Sequence, residues 1–228
     1  MSEDTLMELN NEQLRGGFLK YTRKAFQMLP EIDNLRILDI GCGSGKPTME
    51  LADLSDGEIV GIDIDQDALN ELDFKIERKG LSSQVKTMNC SLFKTPFQDE
   101  SFNIIWEEGV IHILDLKRSL KECNRLLKLN GFLVLGEMIK WIRNKFEIFP
   151  EFGFNLVNHF LLPEECWWRE YYEPLEKRIK ELRSKYTNSK NLKKLKRHEK
   201  EIEMVKKNPK EFDCGFYVFQ KIEGRALL

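Results

Sequence analysis

Between positions 39 and 48 the chain reads Asp39-Ile40-Gly41-Cys42-Gly43-Ser44-Gly45-Lys46-Pro47-Thr48. Three glycines at alternating positions allow the positive φ angles of a sharp turn. They also let a ligand approach the backbone closely, with a helix N-terminus behind them. One acid, Asp39, precedes the turn, and a second, Asp63, follows 24 positions later at the end of another apolar run. A carboxylate there accepts hydrogen bonds from ribose hydroxyls. Further on, Glu107, Glu108 and His112 cluster in the segment WEEGVIHIL. Glu108 and His112 are candidate general bases, the residue types that take a proton near neutral pH.

Two common phosphate-binding patterns fit this turn poorly. A P-loop needs GxxxxGK(S/T), but Gly45-Lys46 is followed by Pro47 and the position five before Gly45 is Ile40. A dinucleotide turn needs GxGxxG, and counted from Gly41 and Gly43 its third glycine falls on Lys46. That weakens the dinucleotide reading without abolishing it. Metal chemistry is not expected. The five cysteines are scattered with no CxxC pair, and the three histidines have no ligand spacing.

The elements that must position these residues alternate. Residues 11–29 have helical periodicity interrupted at Gly16–Gly17. Strands are predicted at 35–41, 58–62, 84–89, 102–106 and 132–138, with helices at 46–54, 65–79 and about 115–129. Gly131 is expected to cap the last of these helices or turn the chain. Short, nearly continuous apolar strands between helices indicate a mostly parallel, doubly wound α/β sheet with helices on both faces. Ligands of such sheets bind beyond the carboxyl ends of the strands. Residues 141–212 have little strand signal and read as a helical insertion before a last strand at 214–222.

The run ILDIGCGSG resembles the first motif of class I S-adenosylmethionine (SAM)-dependent methyltransferases, a Rossmann-like family. The resemblance is strong over residues 35–138. It is similar over most of the chain to a subgroup of unassigned substrate, through the Trp106-x-Glu108-Gly109 segment, WWREYYEPLE and the terminal FYV strand. It implies transfer of a methyl group by in-line displacement, leaving S-adenosylhomocysteine. It implies a cofactor site of Asp39, Gly41, Cys42, Gly43, Gly45, Thr48, Asp63, Ile64, Ser91, Leu92 and Glu107. In that site Asp39 holds the methionine tail, Asp63 the ribose, and Ile64 packs on adenine. The family pattern places an acid where Ser91 stands, and an Asp where Asn103 stands. A neutral serine is a weaker acceptor than a carboxylate. The readings left open are a SAM-binding protein without catalysis and a same-fold enzyme using another nucleotide-like ligand.

The implied layout is one domain of 228 residues. It has an N-terminal helical lid (1–33) near Tyr21 and Thr22, a cofactor-binding core (34–139), a helical acceptor cap (140–212) and a final strand with tail (213–228). Trp167, Trp168, Tyr171 and Tyr172 could wall an acceptor pocket, although docking the insertion is the preferred reading. Residues 177–210 carry 14 Lys/Arg against 4 Glu. A solvated face is preferred there over recruitment of nucleic acid or an anionic surface, because Tyr186 alone among Phe, Tyr and Trp interrupts those lysines and no series of stacking rings runs through them. The net charge of −2 gives no global pull toward polyanions. The acceptor expected is a small molecule. No segment reaches the length of a membrane span. The acidic N-terminus and scattered cysteines suit the cytoplasm.

Overall fold

A computed structural model describes residues 11–185 and 189–223. The elements of its first half are α1 (Asn11–Gly16), α2 (Leu19–Phe26), β1 (Arg36–Ile40), α3 (Lys46–Leu54), β2 (Glu58–Asp63), α4 (Gln66–Lys79), β3 (Val85–Asn89) and β4 (Phe102–Glu108). Then come α5 (Leu116–Leu126), β5 (Leu127–Met138), α6 (Ile139–Arg143), β6 (Phe154–Leu161), α7 (Glu173–Lys185), α8 (Ser189–Lys207) and β7 (Cys214–Lys221). They divide into two compact units. Among the described residues, the smaller comprises those up to Phe18 with those between Leu162 and Asp213, and the larger comprises Leu19–Leu161 with those from Cys214 to Glu223.

The larger unit is a seven-stranded sheet in the order β3-β2-β1-β4-β5-β7-β6. Strands β1 to β5 run parallel, and β7 runs antiparallel to both β5 and β6. This is the expected doubly wound α/β architecture. Its helices start and stop where local chemistry dictates. Asp65 caps α4 by accepting from the N–H groups of Asp67 and Ala68, and Gly80 closes it in the left-handed conformation. Asp115 caps α5 through the N–H of Arg118 at 2.8 Å.

Two features depart from the sequence reading. Gly131 caps no helix: α5 ends at Leu126 and Gly131 lies inside β5. A Cβ there would sit 2.8 Å from the Asn103 carbonyl oxygen, so the glycine serves a close approach between β5 and β4. The positive φ belongs instead to Asn130. Segment 141–212 also contains a strand, β6. It lies at the sheet edge, exposed over most of its length, and its register shifts between Leu156 and Asn158. With neither face buried, selection for alternation is weak, and the irregularity at Val157 interrupts the period of two.

The core of the larger unit is continuous from Leu38 and Val60 through Ile105 and Leu133 to Phe219. Phe149, in a 3-10 turn after α6, stacks on Phe219 with ring centroids 4.0 Å apart and planes 4° from parallel. Both rings are fully enclosed. Phe149→Ala is therefore expected to cost about 3–5 kcal/mol of stability, read by denaturant unfolding. A loss under about 1 kcal/mol would mean that the cavity collapses or was never packed.

The smaller unit has its own core of Tyr171, Tyr172, Leu175, Ile179, Leu182, Leu195, Ile202 and Val205. Phe18 stacks on Trp167 at 4.3 Å, and the Tyr172 hydroxyl donates to Glu201 at 2.9 Å. No helix among the described residues is long and apolar enough to cross a membrane.

Candidate active site

Strand order reverses at β1. The chain runs outward through β2 and β3, then returns to lay β4 on the other side of β1. The crevice beyond the carboxyl ends of β1 and β4 is the ligand position of such sheets. The glycine turn begins where β1 ends. The Gly41 and Cys42 N–H groups donate to the Ile62 carbonyl at 2.8 and 3.1 Å, tying the turn to β2. Gly45, at φ 84°, begins α3, and a Cβ on it would fall 2.1 Å from Leu72 of α4. That glycine is required by packing. Gly43 differs. It has φ 50°, and a Cβ on it would meet nothing within 4 Å. Open space lies beside its backbone.

Two acids flank that space. Asp39 is buried and accepts the Thr48 hydroxyl, from the first turn of α3, at 2.6 Å. Burial pushes its carboxyl up to about 7; the Thr48 bond opposes this, and the charges of Glu108 and Asp63 add to it. Asp63, at the end of β2, accepts the Gly43 N–H at 2.8 Å on Oδ2 and the Asp65 N–H at 2.9 Å on Oδ1. Ile64 follows it with 77% of its surface exposed, an apolar side chain left at the strand end. Cys42 is buried over Gly61, and burial raises its thiol. After β3, the Ser91 hydroxyl oxygen accepts the Phe93 N–H at 3.3 Å and starts a 3-10 turn, while Leu92 faces the core. Asn103 stands near the start of β4, at the opposite end of the strand, where its side-chain Oδ1 accepts the Arg36 backbone N–H at 3.0 Å.

The end of β4 is acid-rich. Glu107 Oε1 accepts the N–H of Val110 and that of Ile111, the latter at 2.8 Å. Its Oε2 is buried with no hydrogen-bond partner among the described residues. Burial first, and then the charge of Glu137, hold the Glu107 carboxyl well above the usual carboxylate range. Glu108 accepts the Thr22 hydroxyl at 2.9 Å and the Trp106 indole N–H at 2.8 Å, so it fastens α2 to β4. Burial raises it to about 6 against those two bonds. An Arg23–Glu50 pair fastens α2 to α3 as well. Tyr21 is buried on α2. His112 Nδ1 lies 3.0 Å from Glu137 Oε1. Glu137 escaped the sequence reading, although an acid ending the apolar run of β5 follows the same rule that singled out Asp39 and Asp63. Of the candidate acceptor aromatics, Tyr171 and Tyr172 are interior to the smaller unit, with Trp167 and Trp168 packed against them.

Residues 38–135 match the family model of the methyltransferase domain. The match runs from β1 to β5 and supports a class I SAM-dependent methyltransferase domain there. Among curated relatives, the chain is 27% identical over 149 residues to 27-O-demethylrifamycin SV methyltransferase of Amycolatopsis mediterranei, covering 60% of this chain and 55% of that protein. It is 29% identical over 121 residues to the O-methyltransferase cnsE of Penicillium expansum, covering 53% and 44%. The chain thus spans about half the length of these curated relatives. Among solved structures, the [4+2]-cyclase SpnF superposes with a TM-score of 0.76 at 18% identity, over 90% of this chain and 82% of that one. Haemonchus contortus phosphoethanolamine N-methyltransferase 2, solved with SAM, superposes with 0.67 at 16% identity, over 89% and 52%. Both likenesses are of fold. The matched segment contains the glycine turn, Asp63, Ser91, Glu107, Glu108 and His112, and Glu137 lies two residues beyond it.

Proposed function

We propose that this chain transfers the methyl group of SAM to a small-molecule acceptor. The observation that carries the reading is the pair of strand-end carboxylates beside the open face of Gly43. These residues suit SAM, a ligand with an ammonium, a sulfonium and no phosphate. Asp39, steadied by Thr48, would hold the ammonium of the methionine tail. Asp63 keeps lone pairs for the ribose hydroxyls, and exposed Ile64 offers an apolar face for adenine. Gly41, Cys42, Gly43 and Gly45 supply the close backbone, Glu107 shapes the loop after β4, and Ser91 with the Leu92 backbone borders the adenine position. SAM supplies an activated methyl on a cationic sulfur. The protein's part is to align the acceptor with it and exclude water. The strand-end carboxylates Asp63, Glu108 and Glu137 disfavour an anionic acceptor and favour a neutral hydroxyl or amine. Relatives named for a rifamycin and for O-methylation point to small molecules too. A cytoplasmic location agrees with five free cysteines.

Gly43→Ala tests the cradle. Its Cβ meets no protein atom, so the fold should lose only about 1–2 kcal/mol for the positive φ. SAM affinity should fall about tenfold or more, because the methyl occupies ligand space, a loss of about 1.4 kcal/mol. Unchanged affinity, by calorimetry, would place the cofactor elsewhere. Methyl transfer itself is read as S-adenosylhomocysteine formed with a panel of phenols, alcohols and amines. SAM binding with no turnover on any of them would favour a binding protein or another reaction on this fold, as the cyclase SpnF illustrates.

A further inference from the structure

Two groups at the end of β4, Glu108 and His112, could take the acceptor's proton. Glu108 is engaged by Thr22 and Trp106, and its bonds hold α2 in place. His112 is arranged differently. Its side chain is 27% exposed while its partner Glu137 is 1% exposed. Glu137 Oε1 accepts the His112 backbone N–H at 3.3 Å, and Oε2 accepts the Met138 N–H at 3.1 Å. Both oxygens therefore act as acceptors. The 3.0 Å contact then runs from the ring Nδ1–H to Oε1. In a neutral imidazole that leaves the lone pair on Nε2, and no bond to Nε2 is found among the described residues. The backbone below the ring is fixed as well: Gly109 turns at φ 81°, and Glu107 clamps the N–H groups of Val110 and Ile111.

We propose that Glu137 is a positioning residue that holds His112 as its Nδ1–H tautomer and so makes His112 Nε2 the proton-accepting atom of the site. The proposal rests on the methyltransferase reading above. In the transfer, a hydroxyl proton of the acceptor goes to Nε2. The oxygen's freed electron pair forms the new O–CH3 bond, and the S–CH3 pair returns to sulfur, which becomes neutral. The imidazolium left behind is stabilised by the Glu137 carboxylate. Glu107 of β4 and Tyr217 of β7 both interact with the charge of Glu137. Burial raises the Tyr217 hydroxyl to about 12 and holds the Glu107 carboxyl well above its usual range.

The test is nitrogen NMR on the full chain labelled with 15N-histidine, with His112→Gln assigning the signals apart from His159 and His198. On the high-pH side of its titration, wild-type His112 should carry its proton on Nδ1. Glu137→Gln, nearly isosteric but without the charge, should shift the proton to Nε2. Diethyl pyrocarbonate, which acylates an unprotonated ring nitrogen, should modify His112 faster in the wild type than in Glu137→Gln. A wild-type proton on Nε2, an unchanged tautomer in Glu137→Gln, or a His112 inert to the reagent would overturn the proposal. Should Glu137→Gln fail to fold, the wild-type tautomer and reactivity decide alone. Titration of the same wild-type sample with SAM separates the two claims: failure to bind SAM defeats the functional reading and leaves the tautomer result standing.

Discussion

Asp63→Ala is expected to lower affinity for SAM by about 100-fold while the protein stays folded. Asp63 Oδ2 holds the Gly43 N–H and Oδ1 holds the Asp65 N–H, so one side chain shapes the turn and starts the loop into α4. In the proposed site its remaining lone pairs would accept from the ribose hydroxyls. Hydrogen bonds to a charged acceptor are worth about 1.5–3 kcal/mol each, and losing two at the ligand reaches that magnitude even with partial compensation by water. Asp63→Asn should fall between the two, since its amide carbonyl can keep one of the bonds. Calorimetric titration reads the affinity and a thermal melt checks the fold. An alanine variant that binds SAM like the wild type would remove β2's strand end from the cofactor site.

The second large effect is in pH. Asp39 titrates at about 7 in the free protein because burial raises it from 3.8, and the ammonium it would hold favours its charged form. Binding must therefore expel a proton below that value. SAM affinity should fall by up to about tenfold for each pH unit below about 7 and level off above it. Proton release should appear as a dependence of the binding heat on the buffer's ionisation enthalpy. The stability of the ligand-free protein runs the other way. A folded pKa above the unfolded one contributes stability that is fully present below about pH 4 and lost as pH rises through about 7. Glu108, raised to about 6, adds a smaller effect of the same sign. Asp39→Asn separates the two groups. It should bind SAM weakly at every pH and be more stable than the wild type at pH 8. An affinity that is flat from pH 5 to pH 8 would mean that Asp39 is not the ammonium partner.

The parallel half of the fold was legible because its strands are buried on both sides. Ile37, Leu38, Ile59, Ile62, Ile104 and Ile105 leave apolar runs that no exposed element keeps. Helix α3 was legible at its start, with Gly45 before it and Pro47 in its first turn. Strand β6 was not, because an exposed edge with a register shift exerts little selection on alternation. The site shows the same division. Asp39 and Asp63 announce themselves as acids closing apolar strands. Glu137 does so too, but its meaning depends on His112 standing 25 positions earlier in the chain, a pairing set by the β4–β5 register and not by spacing. The hold of Thr22 on Glu108 crosses 86 positions and has no local signature at all.

The most direct test of the central claim is calorimetric titration of the purified chain with SAM, S-adenosylhomocysteine and NAD at pH 8, where Asp39 is ionised. The account predicts binding of SAM and S-adenosylhomocysteine in the micromolar range, and no binding of NAD, whose pyrophosphate would meet the strand-end carboxylates. Binding of NAD in preference to both SAM and S-adenosylhomocysteine would contradict it.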